Sequence, residues 1–136
     1  MTLDERDKDS SWQPVLSLEP FFLHGDAISN YLFGLAKDPY PRPLFGYRGI
    51  PTDCTDVVRA AYKENQRFYR KYRDGWFGHT HAEWGEICAA LARPEAPELD
   101  QQLGGWPAVI DTTTVLGSRL CSQPSSQLRI VVWASW

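Results

Sequence analysis

The chain has 136 residues and a net charge of −3, so it is long enough for one ordinary domain and too acidic to bind nucleic acid mainly through the phosphate backbone. Its hydrophobic fraction of 43%, with six residues each of Trp, Tyr and Phe, is sufficient for a core. Three cysteines without a C-x-x-C pair are typical of reduced thiols, and no apolar run reaches membrane-spanning length. We therefore expect a cytoplasmic protein with no membrane contact and no bulk binding of nucleic acid.

The first 13 residues are polar and rich in acids, which predicts a flexible acidic tail over residues 1–13 and a single domain over residues 14–136. An apolar stretch over residues 15–23, interrupted by a proline, predicts an edge strand. Apolar residues at positions i, i+3, i+4 and i+7 over residues 28–35 predict a first helix, for which Asp26 is a suitable N-cap.

A second helix is predicted from capping residues at 52–55 to Gly75. At ~100° per residue its apolar and aromatic residues share one side. These residues are Val57, Val58, Ala61, Tyr62, Phe68, Tyr69 and Tyr72. The opposite side carries the cations Arg59, Lys63, Arg67, Arg70, Lys71 and Arg73. This basic side is either a solvated exterior or a surface that faces an anion or a protein partner.

The second half of the chain predicts further helices and a strand. A third helix is expected to open at Thr80, because Thr80 and Glu83 match the T-x-x-E capping box. Residues 109–120 are compatible with a fourth helix, and the β-branched run over residues 128–133 predicts a buried strand. We therefore expect a small α+β domain with three to four helices packed on a small sheet.

Residues 39–51 contain four prolines and two glycines, which predicts a rigid, irregular loop. Arg42 and Arg48 lie in this loop close to aromatic residues such as Tyr47. Such an arrangement suits a ligand with a phosphate and a base, because the guanidinium binds the phosphate and the aromatic ring stacks on the base. The alternative is that the aromatic residues of the loop only cover the core.

The candidate ligand-binding residues extend beyond the loop. The full set is Arg42, Tyr47, Arg48, Asp53, Trp76, His79 and His81. Arg48 is the first choice within this set, because a stiff loop loses little entropy when its arginine binds a phosphate. The competing interpretation is that Arg48 forms a structural ion pair with Asp53 or Asp56.

Two histidines flank Thr80 in the sequence H-T-H. His79 and His81 would share a metal only where the backbone is extended or irregular, and the third ligand would be Glu83, Glu86, Asp53 or His24. In a helix that starts at Thr80, His81 would instead be a neutral, hydrogen-bonding side chain in the first turn. We expect histidines that contact the fold or a ligand, with no metal and no cofactor, and keep a metal-assisted hydrolase using His79, His81 and Glu83 as an alternative.

Four segments of the chain resemble motifs of small uncharacterised proteins of phages and prophages. Residues 30–36 resemble the family motif R-N-Y-x-L-F-x-x-L-A, and residues 48–55 resemble R-G-L-P-x-D-x-S. Residues 78–81 resemble the start of G-H-S-H-S-W, and residues 128–133 resemble the start of V-R-I-V-F-W-F-D-N. The four segments follow the family order and span most of residues 30–133.

The chain departs from the family pattern at three places. Ser29 replaces the arginine before Asn-Tyr, and Trp84 lies one residue further from His81 than the family tryptophan does. Ala134 and Ser135 replace the terminal acid and amide, so the resemblance assigns no role to an acidic end in this chain.

The resemblance implies a phage-encoded accessory protein, a class that often counters bacterial immunity. We therefore expect a non-enzymatic counter-defence protein in the bacterial cytoplasm that sequesters a small nucleotide-like anionic signal, within one chain or across an interface between copies. One alternative is the metal-assisted hydrolase described above. The other is an inhibitor that docks on a bacterial defence protein or complex, CRISPR-type or other, through the basic side of the second helix.

Overall fold

The computed structural model describes residues 1–6, 12–18, 21, 27–34, 43–46, 48–72, 76–98 and 105–135. Within these ranges a four-stranded antiparallel sheet packs with five helices, which confirms the predicted α+β class with slightly more helices than expected. The elements are β1 (Thr2–Arg6), β2 (Trp12–Ser17), α1 (Ala27–Phe33), α2 (Asp56–Tyr72), β3 (Trp76–Glu83), α3 (Trp84–Leu91), α4 (Trp106–Leu120), α5 (Pro124–Gln127) and β4 (Leu128–Ser135). No helix in these ranges is long and apolar enough to cross a membrane.

The strand order is β2-β1-β4-β3, so the N-terminal strand β1 lies in the interior of the sheet. The prediction of a flexible tail over residues 1–13 is therefore wrong for β1 and for the start of β2 at Trp12. Leu3 is completely buried, and Asp4 pairs with Arg129 across the sheet. An acid in the middle of a buried strand is tolerated here because an arginine of opposite charge lies next to it.

The edge strand expected over residues 15–23 is observed slightly earlier, as β2. Pro14 lies within β2, which is compatible with an edge position because proline has no N–H to donate to a further strand. The helix predicted over residues 28–35 is observed as α1. Its predicted N-cap, Asp26, lies outside the described residues.

One face of the sheet is apolar and carries the core. Leu3 pairs with Ile130, and Ile130 pairs with Ala82, so these three side chains lie in one row on the same face. Helices α1, α3 and α4 pack on this face with Ile28, Leu32, Phe33, Trp84, Ile87, Trp106 and Val109. The main hydrophobic cluster of the described residues therefore lies on this face of the sheet.

The opposite face of the sheet, called the polar face below, carries polar and charged side chains together with the buried Val131. Arg129 pairs with Asp4 on one side and with Glu83 on the other, and the next row contains Thr2 and His81. Three of these polar side chains, Asp4, Arg129 and Thr2, are buried. Helix α2 contacts β3 and β4, so this polar face is partly covered. Buried charges are rare without a structural or functional reason, which directs attention to this face.

The third predicted helix begins later than expected. Thr80 and His81 belong to β3, and α3 follows Glu83. A capping box is present, but Glu83 and Glu86 form it instead of Thr80 and Glu83. The predicted helix start at Thr80 is wrong because pairing with β4 continues as far as Glu83. The residues that follow the predicted end of the second helix at Gly75 belong to β3, which begins at Trp76.

The second predicted helix is confirmed as α2, in which Val58 is completely buried. Its predicted apolar side is more exposed than expected, since Val57 and Phe68 retain 48% and 47% of their accessible surface. The fourth helix and the last strand are also confirmed. Helix α4 begins at Trp106, whose indole N–H donates a hydrogen bond of 2.9 Å to Ser29 Oγ.

Candidate functional site

The guanidinium of Arg48 lies on the carboxylate of Glu86, at the first turn of α3. Arg48 Nη1 and Nη2 donate to Glu86 Oε2 and Oε1 over 2.9 and 3.0 Å, and Nη1 also lies 3.3 Å from the His81 carbonyl oxygen. The Phe45 ring supports the guanidinium at 4.7 Å. Both terminal nitrogens are therefore occupied, and an incoming phosphate would have to compete with Glu86.

Glu86 forms hydrogen bonds both with Arg48 and with the backbone at the start of α3. Its carboxylate accepts a third hydrogen bond of 3.0 Å from the Glu83 backbone N–H, as the capping box requires. The hydrogen bond from Arg48 lowers the pKa of Glu86, against the opposing effect of partial burial. Glu86 is therefore charged at neutral pH, and the ion pair with Arg48 is a structural tie between the loop and α3.

The loop around Arg48 is also tied to β3. The Thr80 hydroxyl donates to the Phe45 carbonyl oxygen and accepts from the Arg48 backbone N–H at 3.4 Å. His81 Nδ1 lies 3.0 Å from the Gly49 carbonyl oxygen. Gly49 has φ of 78°, a left-handed conformation that favours glycine, and it lets the chain turn away from β3 immediately after Arg48.

Asp53 lies where three donors from three strands converge. Its carboxylate accepts hydrogen bonds from Trp12 Nε1 at 2.7 Å and from Arg129 Nη1 at 2.8 Å, and Arg6 Nη2 lies 3.7 Å away. Burial alone would raise the pKa of Asp53, but the hydrogen bonds from Arg129 and Trp12 outweigh it and lower the pKa. Asp53 is thus an anion at the edge of the polar face.

Arg129 is the buried centre of this cluster. Its side chain is only 5% exposed, and it lies between Asp53 on one side and Asp4 on the other, where Nε is 3.8 Å from Asp4 Oδ2. The guanidinium also stacks 3.9 Å from the Trp12 ring centre, and Arg6 approaches the same ring at 4.8 Å. Burial raises the pKa of Asp4, although Arg129 opposes that effect.

His79 is buried beneath α2. Its ring packs edge-on against Tyr62 of α2 at 5.0 Å and stacks on Trp133 of β4 at 5.7 Å. Neither ring nitrogen has a hydrogen-bond partner within the described part of the chain. Burial lowers the pKa of His79 to about 4, so the imidazole is neutral at physiological pH. It is part of the packing between α2 and the sheet.

Of the remaining predicted residues, His81 is the one that the structure places beside Arg48 within the described ranges. His81 is engaged with Gly49, and Glu83 caps α3. The described residues contain no group of three His, Cys, Asp or Glu side chains arranged to hold a metal ion. Arg42 and Tyr47 lie outside the described residues, and only the backbone of Trp76 lies within them, in β3.

The basic side of α2 forms a separate surface. It carries a cationic stripe, which comprises the exposed residues Arg59, Lys63, Arg67, Arg70 and Lys71. An open depression of about 290 Å³ lies along this stripe and is lined by Lys63, Gln66, Arg67 and Arg70. Gln66 is held in place by a hydrogen bond of 2.7 Å from its Nε2 to the Tyr62 hydroxyl. The helical pattern predicted the stripe, whereas the depression is visible only in the folded chain.

The cluster of charged and aromatic side chains around Arg129 was not predicted from the sequence. A charged residue inside the apolar run L-R-I-V-V-W was the available signal, because a buried arginine requires an acidic partner. Asp4 was not recognised as this partner, because it is one of several acids in the N-terminal segment. Asp53 was predicted as a ligand-binding residue, and its donors Trp12 and Arg129 were not predicted.

No protein-family model matches the chain, and no curated protein or solved structure matches it significantly. The surfaces described above are therefore interpreted from their own geometry and chemistry. Two of them are candidates for ligand binding: the cationic stripe of α2 and the cluster of Arg129 and Asp53 on the polar face of the sheet.

Proposed function

We propose that this chain is a non-enzymatic, phage-type counter-defence protein that sequesters a small nucleotide-like anion on the cationic stripe of α2. The observation that carries the proposal is the open depression of about 290 Å³, which is lined by Lys63, Arg67 and Arg70. Three cations around one depression match the charge of a phosphorylated ligand. The resemblance to phage proteins supports the counter-defence setting.

Four of the five cations of the stripe are available to an external anion. None of Arg59, Lys63, Arg67 and Arg70 forms an ion pair with another described residue. Lys63 and Arg67 are four residues apart, and Arg67 and Arg70 are three apart, so they are neighbours on the helix surface. Each such like-charged pair costs roughly 0.2–0.5 kcal/mol, and a bound anion would remove that cost.

The chemistry of the lining favours binding over catalysis. Lysine, arginine and glutamine supply N–H donors and positive charge, but none is a proton acceptor near neutral pH. Charge-assisted hydrogen bonds from such groups contribute roughly 1.5–3 kcal/mol each. Two or three of them give useful affinity for a phosphate without any reacting group.

The test is calorimetric titration of the purified chain with AMP, ATP and cyclic di-AMP as probes. We expect one of these probes to bind, and the double variant Lys63→Glu/Arg67→Glu to weaken its binding at least tenfold. The double variant Arg93→Glu/Arg119→Glu is the matched control, because it makes the same change of charge away from α2. Equal affinity for both variants would contradict the proposal. Mass spectrometry of small molecules released from protein purified from defence-active bacteria identifies the natural ligand.

A second candidate function, inhibition of a bacterial defence protein by docking, is favoured by the length of the stripe. From Arg59 to Arg70 it extends over roughly 16 Å of helix, at 1.5 Å per residue, which exceeds what a mononucleotide can contact. Arg59 does not line the depression. A sponge therefore tolerates Arg59→Glu, whereas a docking inhibitor loses counter-defence activity with Arg59→Glu as well as with Arg67→Glu.

A further inference from the structure

Three donors surround the carboxylate of Asp53 at the edge of the polar face of the sheet. The carboxylate of Asp53 accepts from Trp12 Nε1 at 2.7 Å and Arg129 Nη1 at 2.8 Å, with Arg6 Nη2 at 3.7 Å. The donors come from β2, β4 and β1, three neighbouring strands of the sheet. Two guanidinium groups and an indole N–H directed at one carboxylate are the groups expected of an oxyanion receptor.

The donors are held independently of Asp53. Trp12 is 6% exposed and the Arg129 side chain 5%, so both are fixed by packing. Trp12 is in register with Arg6, and Arg129 is in register with Asp4, whose carboxylate stays beside it. Loss of the Asp53 carboxylate therefore leaves Trp12 and Arg129 in place, and the more exposed Arg6 keeps its contact with the Trp12 ring at 4.8 Å.

Asp53 lies in a turn, whereas its three donors lie in strands. It lies in the turn at residues 52–53, between the loop that carries Arg48 and helix α2, and its side chain is 50% exposed. The turn is attached to Arg129 by one further contact, from Nη2 to the Asp53 carbonyl oxygen at 3.2 Å. A carboxylate on an exposed turn can leave a receptor that is built from paired strands.

The charges favour an anion at this position. Arg6 and Arg129 carry two positive charges, and Asp4 carries one negative charge when it is ionised. The receptor without Asp53 is therefore at least singly positive, with a buried guanidinium that needs a partner. A carboxylate or a phosphate restores the balance that Asp53 provides.

We propose that Arg6, Trp12 and Arg129 form a binding site for an oxyanion, a carboxylate or a phosphate group, and that Asp53 occupies this site as an internal ligand. An external anion binds by displacing Asp53 and releases the turn that leads into α2. The site is separate from the cationic stripe, so this inference does not depend on the proposed function.

The test removes the internal ligand and asks whether an external anion replaces it. Thermal unfolding of the Asp53→Ala variant is measured at constant ionic strength in chloride, and then with increasing sodium formate or sodium phosphate. We expect a lower melting temperature in chloride and a saturable recovery of about 4 °C or more with at least one of the two anions. A response to formate alone assigns the site to carboxylates, and a response to phosphate alone assigns it to phosphate groups.

Three controls separate specific binding from general salt effects. The wild type already holds Asp53 in the site, so its melting temperature should change much less than that of the variant. Asp53→Ala/Arg6→Ala should lose most of the recovery, because a donor is gone. Asp56→Ala removes a nearby exposed acid that makes no contact with the receptor, and it should show no anion-specific recovery.

A spectroscopic readout covers the case of an unstable variant. The Trp12 indole resonance in ¹H–¹⁵N spectra is assigned with the variant Trp12→Phe. This resonance should shift when Asp53→Ala is titrated with formate or phosphate. The milder variant Asp53→Asn should show the same shift. If Asp53→Ala is unfolded in chloride, recovery of the folded spectrum by either anion supports the proposal equally. Equal anion effects on wild type and variants, or no effect on either Asp53 variant, would overturn it.

Discussion

Arg48 and Glu86 form a two-point ion pair in which both terminal guanidinium nitrogens meet both carboxylate oxygens, at 2.9 and 3.0 Å. This pair joins the segment around Arg48 to the capping box of α3, next to the contacts of that segment with Thr80 and His81 of β3. The sequence offered two roles for Arg48, phosphate binding and a structural ion pair. The structure shows the structural ion pair, and its acidic partner is Glu86 instead of Asp53 or Asp56.

The first prediction concerns this pair. We expect Arg48→Ala to lower the free energy of unfolding by about 1 kcal/mol, a modest value because both side chains are about one-third exposed and solvent screens the interaction. Glu86→Gln should have a similar effect, and the double variant should cost less than the sum of the two. Denaturant unfolding of the three variants measures the coupling. Weaker nucleotide binding by Arg48→Ala at unchanged stability would instead place Arg48 in a ligand site.

The second prediction concerns the pH dependence of stability. The pKa of His79 falls from 6.5 to about 4 in the folded state, so the unfolded chain binds more protons between these values. The contribution of the neutral His79 to the free energy of unfolding is complete above pH 6.5. It is lost progressively as the pH falls toward 4, and the loss reaches up to about 3 kcal/mol. Urea unfolding of wild type and His79→Phe at pH 7.5 and pH 5 measures this loss.

The comparison with His79→Phe isolates the histidine. Asp4, whose pKa is raised by burial, titrates in the opposite sense and is present in both proteins. We expect the loss of stability between the two pH values to be smaller in His79→Phe, because the phenyl ring fills the space between Tyr62 and Trp133 without binding a proton. An identical loss in both proteins would show that His79 is not responsible.

The third prediction tests the strand at the N-terminus. Leu3→Ala should lower the free energy of unfolding by roughly 2–5 kcal/mol, as expected for a completely buried leucine. Glu5→Ala, two residues along the same strand and partly exposed, is the control and should change stability by less than about 1 kcal/mol. If Leu3→Ala were as mild as Glu5→Ala, residues 2–6 would be a tail after all.

The fourth prediction concerns the buried charges Asp4 and Arg129. Arg129→Met leaves Asp4 without its cation and should cost roughly 3–5 kcal/mol. The double variant Asp4→Leu/Arg129→Met should recover much of this loss, because a buried apolar pair is often as stable as a buried ion pair. Denaturant unfolding of both proteins decides the point, and a double variant less stable than Arg129→Met would contradict it.

The sequence by itself determined the elements whose residues follow a regular period. Helix α2 repeats cations and apolar residues at the helical spacing, and β4 is a β-branched run, so both were predicted close to their observed positions. The α+β class followed from these elements. Such patterns depend only on neighbours along the chain, and local physics is sufficient to interpret them.

Only the tertiary structure decided the role of segments whose partners are distant in sequence. Residues 2–6 are acidic and look like a tail, but Asp4 is neutralised by Arg129, 125 positions further along the chain. Thr80 has the sequence pattern of a helix cap, but pairing with β4 holds it in a strand. Helix α3 therefore begins after Glu83, and its first turn places Glu86 beside Arg48. A buried charge or a strand in the interior of a sheet is stabilised by residues that no local pattern contains.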